Sequence, residues 1–196
     1  MRALGPGNRI GIWFCGCSHG CKGCSNPELW QRQEKYCITA ARLMELVRSV
    51  SDAAQVDGFT LTGGDPVEQP ELAGLLPELR GISGDILLYT GYTLEQLRAM
   101  PGASGVLENV SVLIDGEYIE ERNNGCPLRG SDNQRVIFLD ESLRQSYEDY
   151  MRNGNMIQNF TVGSGVVSVG IHSADYPAEL ERRLAEKELL KGDADE

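Results

Sequence analysis

"RIGIWFCGCSHGCKGC", residues 9–24, runs an apolar stretch straight into a loop that holds four of the chain's six cysteines. RIGIWF is rich in β-branched and aromatic residues and reads as the first strand. The cysteines at positions 15, 17, 21 and 24 fall within ten residues beyond it. Three readings compete for so tight a group: a disulfide staple, a structural metal knot, or a reactive metallocofactor.

Composition narrows the choice. A chain of 196 residues is most simply one domain with a real core. Its 41% hydrophobic and 24% charged residues are ordinary for a soluble globular protein. No apolar run reaches the roughly 18 to 20 residues that span a bilayer. The first residues, MRALGPGNRIGIWF, are broken by Gly, Pro, Asn and Arg and do not read as a secretory signal, so a cytoplasmic location is expected. Thiols stay reduced there, which sets the disulfide reading aside. The net charge of −11, from 18 Lys and Arg against 29 Asp and Glu, comes without a basic stripe, so nucleic acid is not an expected partner. The acidic tail reads as a solvated helix with a frayed end.

Outward from the cysteines, strands alternate with helices. Thr39 reads as the N-cap of a helix with Leu43, Met44, Leu46, Val47 and Val50 at helical spacing. A strand at 58–64 ends in paired glycines, and a helix over 70–81 starts with Pro and has Pro77 set to bend or interrupt it. Further strands are expected at 85–92, 110–119 and 135–140, and further helices at 93–100 and 141–151. A hairpin around the Gly-Ser-Gly of 163–165 and a last helix from about Asp175 close the chain. This order predicts an α/β fold: a partial (open) β/α barrel with a mostly parallel sheet, plus a C-terminal β-hairpin and helix. Residues 1–154 form the core and 155–196 an extension of the same domain. Ligands in such sheets gather beyond the carboxyl ends of the strands, where the Cys loop, GGDP (63–66) and TGY (90–92) all fall.

The spacing Cys17-x3-Cys21-x2-Cys24 lets one loop wrap a metal centre. Three thiolates around a four-iron cube leave one iron open, which separates a reactive site from a closed one. Adding Cys15 would give a closed four-thiolate zinc or cluster site. Cys15 is only one residue from Cys17, however, and belongs to the apolar strand, where a free Cys behaves as a small hydrophobe. His19 reads as a ligand, as a donor behind one, or as a plain loop histidine. Arg129 reads as a carboxylate or partner contact, or as a pin for its own loop. Cys37 is expected to be packed, and Cys126 to be incidental. With His19 and His172 the only histidines, imidazole acid–base chemistry has little material.

GPGNR (5–9), the strand, and CSHGCKGCSNPELW (17–30) together resemble the activating enzymes of glycyl-radical proteins, which are radical S-adenosylmethionine (SAM) enzymes. Trp30, TGGDP (62–66), YTGY (89–92), LIDGEYI (113–119) and RGSDNQRVI (129–137) resemble, in order, the blocks of the activases of anaerobic (class III) ribonucleotide reductase. The resemblance spans about residues 5 to 140. It departs from the wider superfamily at Gly23, where an aromatic residue is common.

The resemblance implies a [4Fe–4S] cluster on Cys17, Cys21 and Cys24, with SAM on the open iron. Reductive cleavage would give methionine and a 5′-deoxyadenosyl radical, which takes a glycine Cα hydrogen from an anaerobic ribonucleoside-triphosphate reductase. Gly63, Gly64 and Asp65 would hold the SAM amino group. The backbone of Gly23, Cys24 and Ser25 would meet adenine. Thr90, Gly91 and Asp115 would meet ribose or methionine. A reduced flavodoxin or ferredoxin-type protein would supply electrons, with no membrane partner. The alternatives are a radical SAM enzyme acting on another protein or peptide, and a non-catalytic iron–sulfur or zinc module.

Overall fold

The computed structural model describes residues 1–163, 165–173 and 175–192. Strands β1 (Arg9–Phe14), β2 (Gly58–Gly63), β3 (Ile86–Tyr89), β4 (Val112–Asp115) and β5 (Arg135–Phe138) form one sheet in that order. The first four run parallel and β5 returns antiparallel to β4. Helices α1 (Ala40–Ala53), α2 (Leu72–Arg80), α3 (Leu94–Ala99) and the short α4 (Ser104–Leu107) fill the crossovers, and α5 (Arg144–Arg152) follows β5. Then β6 (Ile157–Val162) and β7 (Gly165–Gly170) make a separate antiparallel pair, followed by α6 (Tyr176–Gly192). Ser164, in the expected hairpin turn, and residues 193–196 of the acidic tail lie outside the described residues.

Both faces of the sheet are covered, as parallel strands require. Ile86, Leu88 and Leu113 face a core built with α1 to α4, while Leu87, Val112 and Ile114 face Tyr147 of α5 and Leu128. Thr39 caps α1 by accepting the Arg42 N–H at 3.1 Å. The buried stripe of α1 is narrower than the spacing predicts: Met44 and Val47 are buried, but Leu46 and Val50 are about half exposed at 46% and 49%. In α2 the proline does not interrupt the helix. Pro77 points to solvent while Leu72, Leu75, Leu76 and Leu79 are buried. Burying four leucines contributes about 6–12 kcal/mol, well above the roughly 3 kcal/mol of a mid-helix proline.

The strand expected at 110–119 is shortened to four residues. Gly116 takes φ +98° and turns the chain out of the sheet. Cys37 is exposed rather than packed, in a turn before the α1 cap. Among the described residues no helix is long and apolar enough to cross a membrane.

The amino ends of the strands are tied by one buried charge. Arg9, 3% exposed, donates to Asp85 Oδ2 at 2.6 Å, Thr60 Oγ1 at 2.8 Å and the Phe59 carbonyl at 2.5 Å. The Tyr147 hydroxyl donates to the other Asp85 oxygen at 2.6 Å. The Arg of GPGNR therefore joins β1, β2, the start of β3 and α5.

Candidate metal centre

Parallel register brings the carboxyl ends of β1 and β2 side by side, with Phe14 opposite Gly63. The Cys loop is stitched to its neighbours by backbone: Gly64 N–H to Phe14 O at 2.7 Å, Asp65 N–H to Gly16 O at 3.0 Å, and Cys17 N–H to Trp30 O at 3.0 Å. A left-handed glycine precedes each of three cysteines: Gly16 (φ +114°) before Cys17, Gly20 (+62°) before Cys21 and Gly23 (+69°) before Cys24. Each reverses the chain at a point where a side chain would be strained. Cys15 follows Phe14 of β1 and has no such turn.

Cys17, Cys21 and Cys24 line one cavity of about 230 Å³. Cys15 lines a different groove, on the Phe14–Tyr36 side, and its thiol donates to the Gln31 carbonyl at 2.8 Å. All six cysteines are free, so no disulfide staples the loop. Burial pushes the Cys17 and Cys21 thiols above their ordinary range; nearby Asp65 and Glu68 add to it at Cys17, and Glu117 at Cys21. Backbone N–H groups of His19 and Gly20 pull Cys17 part of the way back. Another N–H, from Asn26, points to Cys24 Sγ at 3.4 Å. Thiols of this kind become thiolates when a metal's charge compensates them, and aimed N–H groups stabilise cluster sulfurs. No Lys or Arg lines the cavity among the described residues. The donor set fits an iron–sulfur cluster.

Gly63, Gly64, Asp65, Thr90, Gly91 and Ser25 also line this cavity. The glycines are demanded by the chain itself as much as by any ligand. A Cβ on Gly63 would sit 2.7 Å from the Phe14 backbone, and one on Gly64 would collide with the Gly16 carbonyl. Asp65 is 3% exposed and its carboxylate is fully engaged. Oδ1 accepts from Val67 N–H, and Oδ2 accepts from Thr90 Oγ1 and Gly91 N–H and meets His19 Nε2, all at 2.9 Å. Asp65 and Thr90 thus act as a hub that locks three strand ends together. Gly91 leaves the space that the His19 ring fills.

Two expected site residues lie elsewhere. Gly23 is exposed, against the Glu120 side chain, and does not line the cavity. Asp115 is 1% exposed and absent from the cavity wall. Its oxygens accept the α3 Leu94 N–H at 2.7 Å and the Arg135 guanidinium at 2.9 Å and 2.5 Å. Arg129 pins its own loop, donating to the Gln134 carbonyl at 3.1 Å.

The sequence reading undervalued His19. Its ring bridges Asp65 and Glu117, at 2.9 and 3.3 Å, and stands edge-on to Tyr92 at 4.6 Å. The Asp65 contact, chiefly, raises its pKa. Its position between two of the expected ligand cysteines, Cys17 and Cys21, was the available signal. The wall formed by Ser168 to His172 had no local signal, because only tertiary packing carries the hairpin there.

The family model for a 4Fe-4S single cluster domain matches residues 3–137. The chain is 35% identical over 137 residues to the anaerobic ribonucleoside-triphosphate reductase-activating protein of Enterobacteria phage T4, covering 67% of this chain and 85% of that one. It is 34% identical over 139 residues to the protein of that name from Vibrio cholerae, with 67% and 88% covered. For the Escherichia coli K12 protein the figures are 30% over 142 residues, with 69% and 91% covered. The chain belongs to this family. No solved structure matches it. The chain is a reductase-activating protein with a 4Fe–4S domain, Cys17, Cys21 and Cys24 of the cavity lie within the matched residues, and the alternative of a non-catalytic zinc module is set aside.

Proposed function

We propose that the chain is a radical SAM activase that generates a glycyl radical on an anaerobic ribonucleoside-triphosphate reductase. One observation carries the reading: three thiols, each behind a left-handed glycine, line a common cavity while Cys15 faces another groove. Cys17, Cys21 and Cys24 would hold the [4Fe–4S] cluster and leave one iron for the amino and carboxylate groups of SAM. The cluster and SAM supply the hard chemistry, reductive cleavage of the sulfonium followed by hydrogen abstraction from a glycine Cα.

The protein's own residues orient and exclude. The Asn26 N–H would steady the Cys24 sulfur. Asp65 keeps the loops after β1, β2 and β3 in fixed relation, so Gly63, Gly64, Thr90 and Gly91 present a rigid wall to SAM. Ser25 and the Cys24 backbone are the adenine contacts in this reading. Gly23 serves the turn, and Asp115 the α3 cap. Residues 1–154 are the radical SAM core, read as a partial β/α barrel, and 155–196 extend the same domain. A reduced flavodoxin or ferredoxin-type protein in the cytoplasm is the electron donor in this reading.

Anaerobic reconstitution with iron and sulfide, followed by reduction with SAM present, tests the proposal. The expected product is 5′-deoxyadenosine without any partner, and a glycyl-radical signal once the reductase is added. A preparation that binds only zinc, or a reduced cluster whose spectrum SAM leaves unchanged, overturns it. The hairpin lies outside the matched residues 3–137 and favours one rival, an activase of the same chemistry with another protein target. A radical formed on another protein but not on the reductase would select that rival.

A further inference from the structure

We propose that His172, on the segment leaving β7, hydrogen-bonds SAM, so that the C-terminal extension forms a working wall of the cofactor cavity. The inference rests on the activase reading and goes beyond it, since the family model's match ends at residue 137.

Ser168, Val169, Gly170, Ile171 and His172 line the same cavity as the three cysteines. The segment is fixed there from several sides. Val169 packs on Ala3 and Leu4, and the Arg2 N–H donates to Gln158 Oε1 of β6. Asn123 Nδ2 donates to the His172 carbonyl at 3.2 Å. The imidazole stacks on the Tyr176 ring, with centroids 4.5 Å apart and planes 18° from parallel. The Tyr176 hydroxyl in turn donates to Asn159 Oδ1 at 3.1 Å.

A ring so well held still has a buried Nε2 with no hydrogen-bond partner among the described residues. Folded proteins seldom leave such an atom unpaired, and here it belongs to a residue of the cavity wall. Burial lowers the pKa of His172, so the ring is neutral near pH 7 and offers one donor and one acceptor. That chemistry suits the hydroxyl and amino edges of a nucleoside better than a charged group. Asp65 and Thr90, by contrast, have already spent their polar atoms on each other and on the chain. The hairpin thus adds to the cavity wall a residue with an uncommitted polar atom, where Asp65 and Thr90 offer none.

The full chain, anaerobically reconstituted to full iron loading, provides the test, with SAM affinity measured by equilibrium dialysis without a partner protein. His172→Leu is expected to weaken binding about five- to tenfold, and His172→Gln, which keeps a donor and an acceptor, to stay within about twofold of the parent. Iron content and the thermal transition report whether each variant is folded. His172→Leu that binds like a SAM-binding parent overturns the inference alone. An equal loss in the Leu and Gln variants overturns it too, because packing would then be the cause. A parent chain that binds no SAM overturns the activase reading together with the inference.

Discussion

At the amino ends of the strands, Arg9, Asp85, Thr60 and Tyr147 are packed so that each polar tip has a partner. At the carboxyl ends the chain instead supplies glycines, half-buried thiols and polar atoms with nothing to bond. The four buried side-chain atoms without partners among the described residues are Trp30 Nε1, Arg129 Nε, Asn133 Oδ1 and His172 Nε2. All belong to the loops after β1 and β4 or to the segment after β7. One sheet therefore divides its work: the closed end holds the fold, and the open end carries the thiol-lined cavity, although of these four residues only His172 belongs to its wall. Parallel strands make the division possible, because every loop at one end follows a strand and every loop at the other precedes one.

The largest expected effect breaks the open end and leaves the closed end intact. Cys17→Ala, Cys21→Ala or Cys24→Ala should abolish cluster loading, read as iron per chain after reconstitution, with little change in the urea midpoint of the apo protein. Cys15→Ala should load iron like the parent, since its thiol faces the Gln31 carbonyl in another groove. Equal loss of iron from Cys15→Ala and Cys17→Ala would mean a closed four-thiolate site.

Arg9→Met should do the opposite. It strands the Asp85 carboxylate, whose side chain is 12% exposed, and leaves the Phe59 carbonyl without its donor. Removing one partner of a buried ion pair destabilises by about 3–5 kcal/mol. Urea denaturation of the apo chain measures it, and surviving molecules should still load iron. A loss under about 1 kcal/mol would show that the closed end is less dependent on this pair than its geometry implies.

Smaller effects sharpen the contrast within the Cys loop. Gly20 has φ +62° and open space around it, so Gly20→Ala should cost only the left-handed strain, about 1–2 kcal/mol, and load iron more slowly. Gly64 has no positive φ, but a Cβ there would meet the Gly16 carbonyl. Gly64→Ala should therefore push the Cys loop from β2 and lower iron occupancy further than Gly20→Ala. Iron stoichiometry and loading rate under identical conditions decide the order.

Much of this division could be read along the chain. The strand before the cysteines, the three-ligand spacing, GGDP and TGY at strand ends and the Thr39 cap all depend on local pattern, and local pattern is what a sequence displays. The closed end was visible only as the unexplained Arg of GPGNR, because Asp85 and Tyr147 reach it from far along the chain. Asp115 misled for the same reason. Its strand-end position suggests a ligand contact, but the antiparallel register of β5 sets Arg135 directly opposite and engages it. His19 and the hairpin wall depend on which loops meet in space. The glycine before each of Cys17, Cys21 and Cys24 was legible, yet its meaning lies in φ angles rather than in spacing.

The smallest effect concerns pH at the open end. Glu95 is exposed, and its carboxyl is held down to about 2, chiefly by hydrogen bonds from Arg135. A carboxyl depressed on folding adds stability above its unfolded pKa, near ~4.3, and loses it as pH falls toward the folded value. Stability of the apo chain should thus decline between about pH 5 and pH 2, and Glu95→Gln should flatten part of that decline while changing little at pH 7. Salt separates the two ends. Raising ionic strength to about 0.5 M should shrink the Glu95 contribution, which sits in solvent, while the effect of Arg9→Met, inside the sheet, stays nearly constant. If both shrink equally with salt, the Arg9–Asp85 pair is as open to screening as an exposed one, and burial is not what distinguishes the two ends.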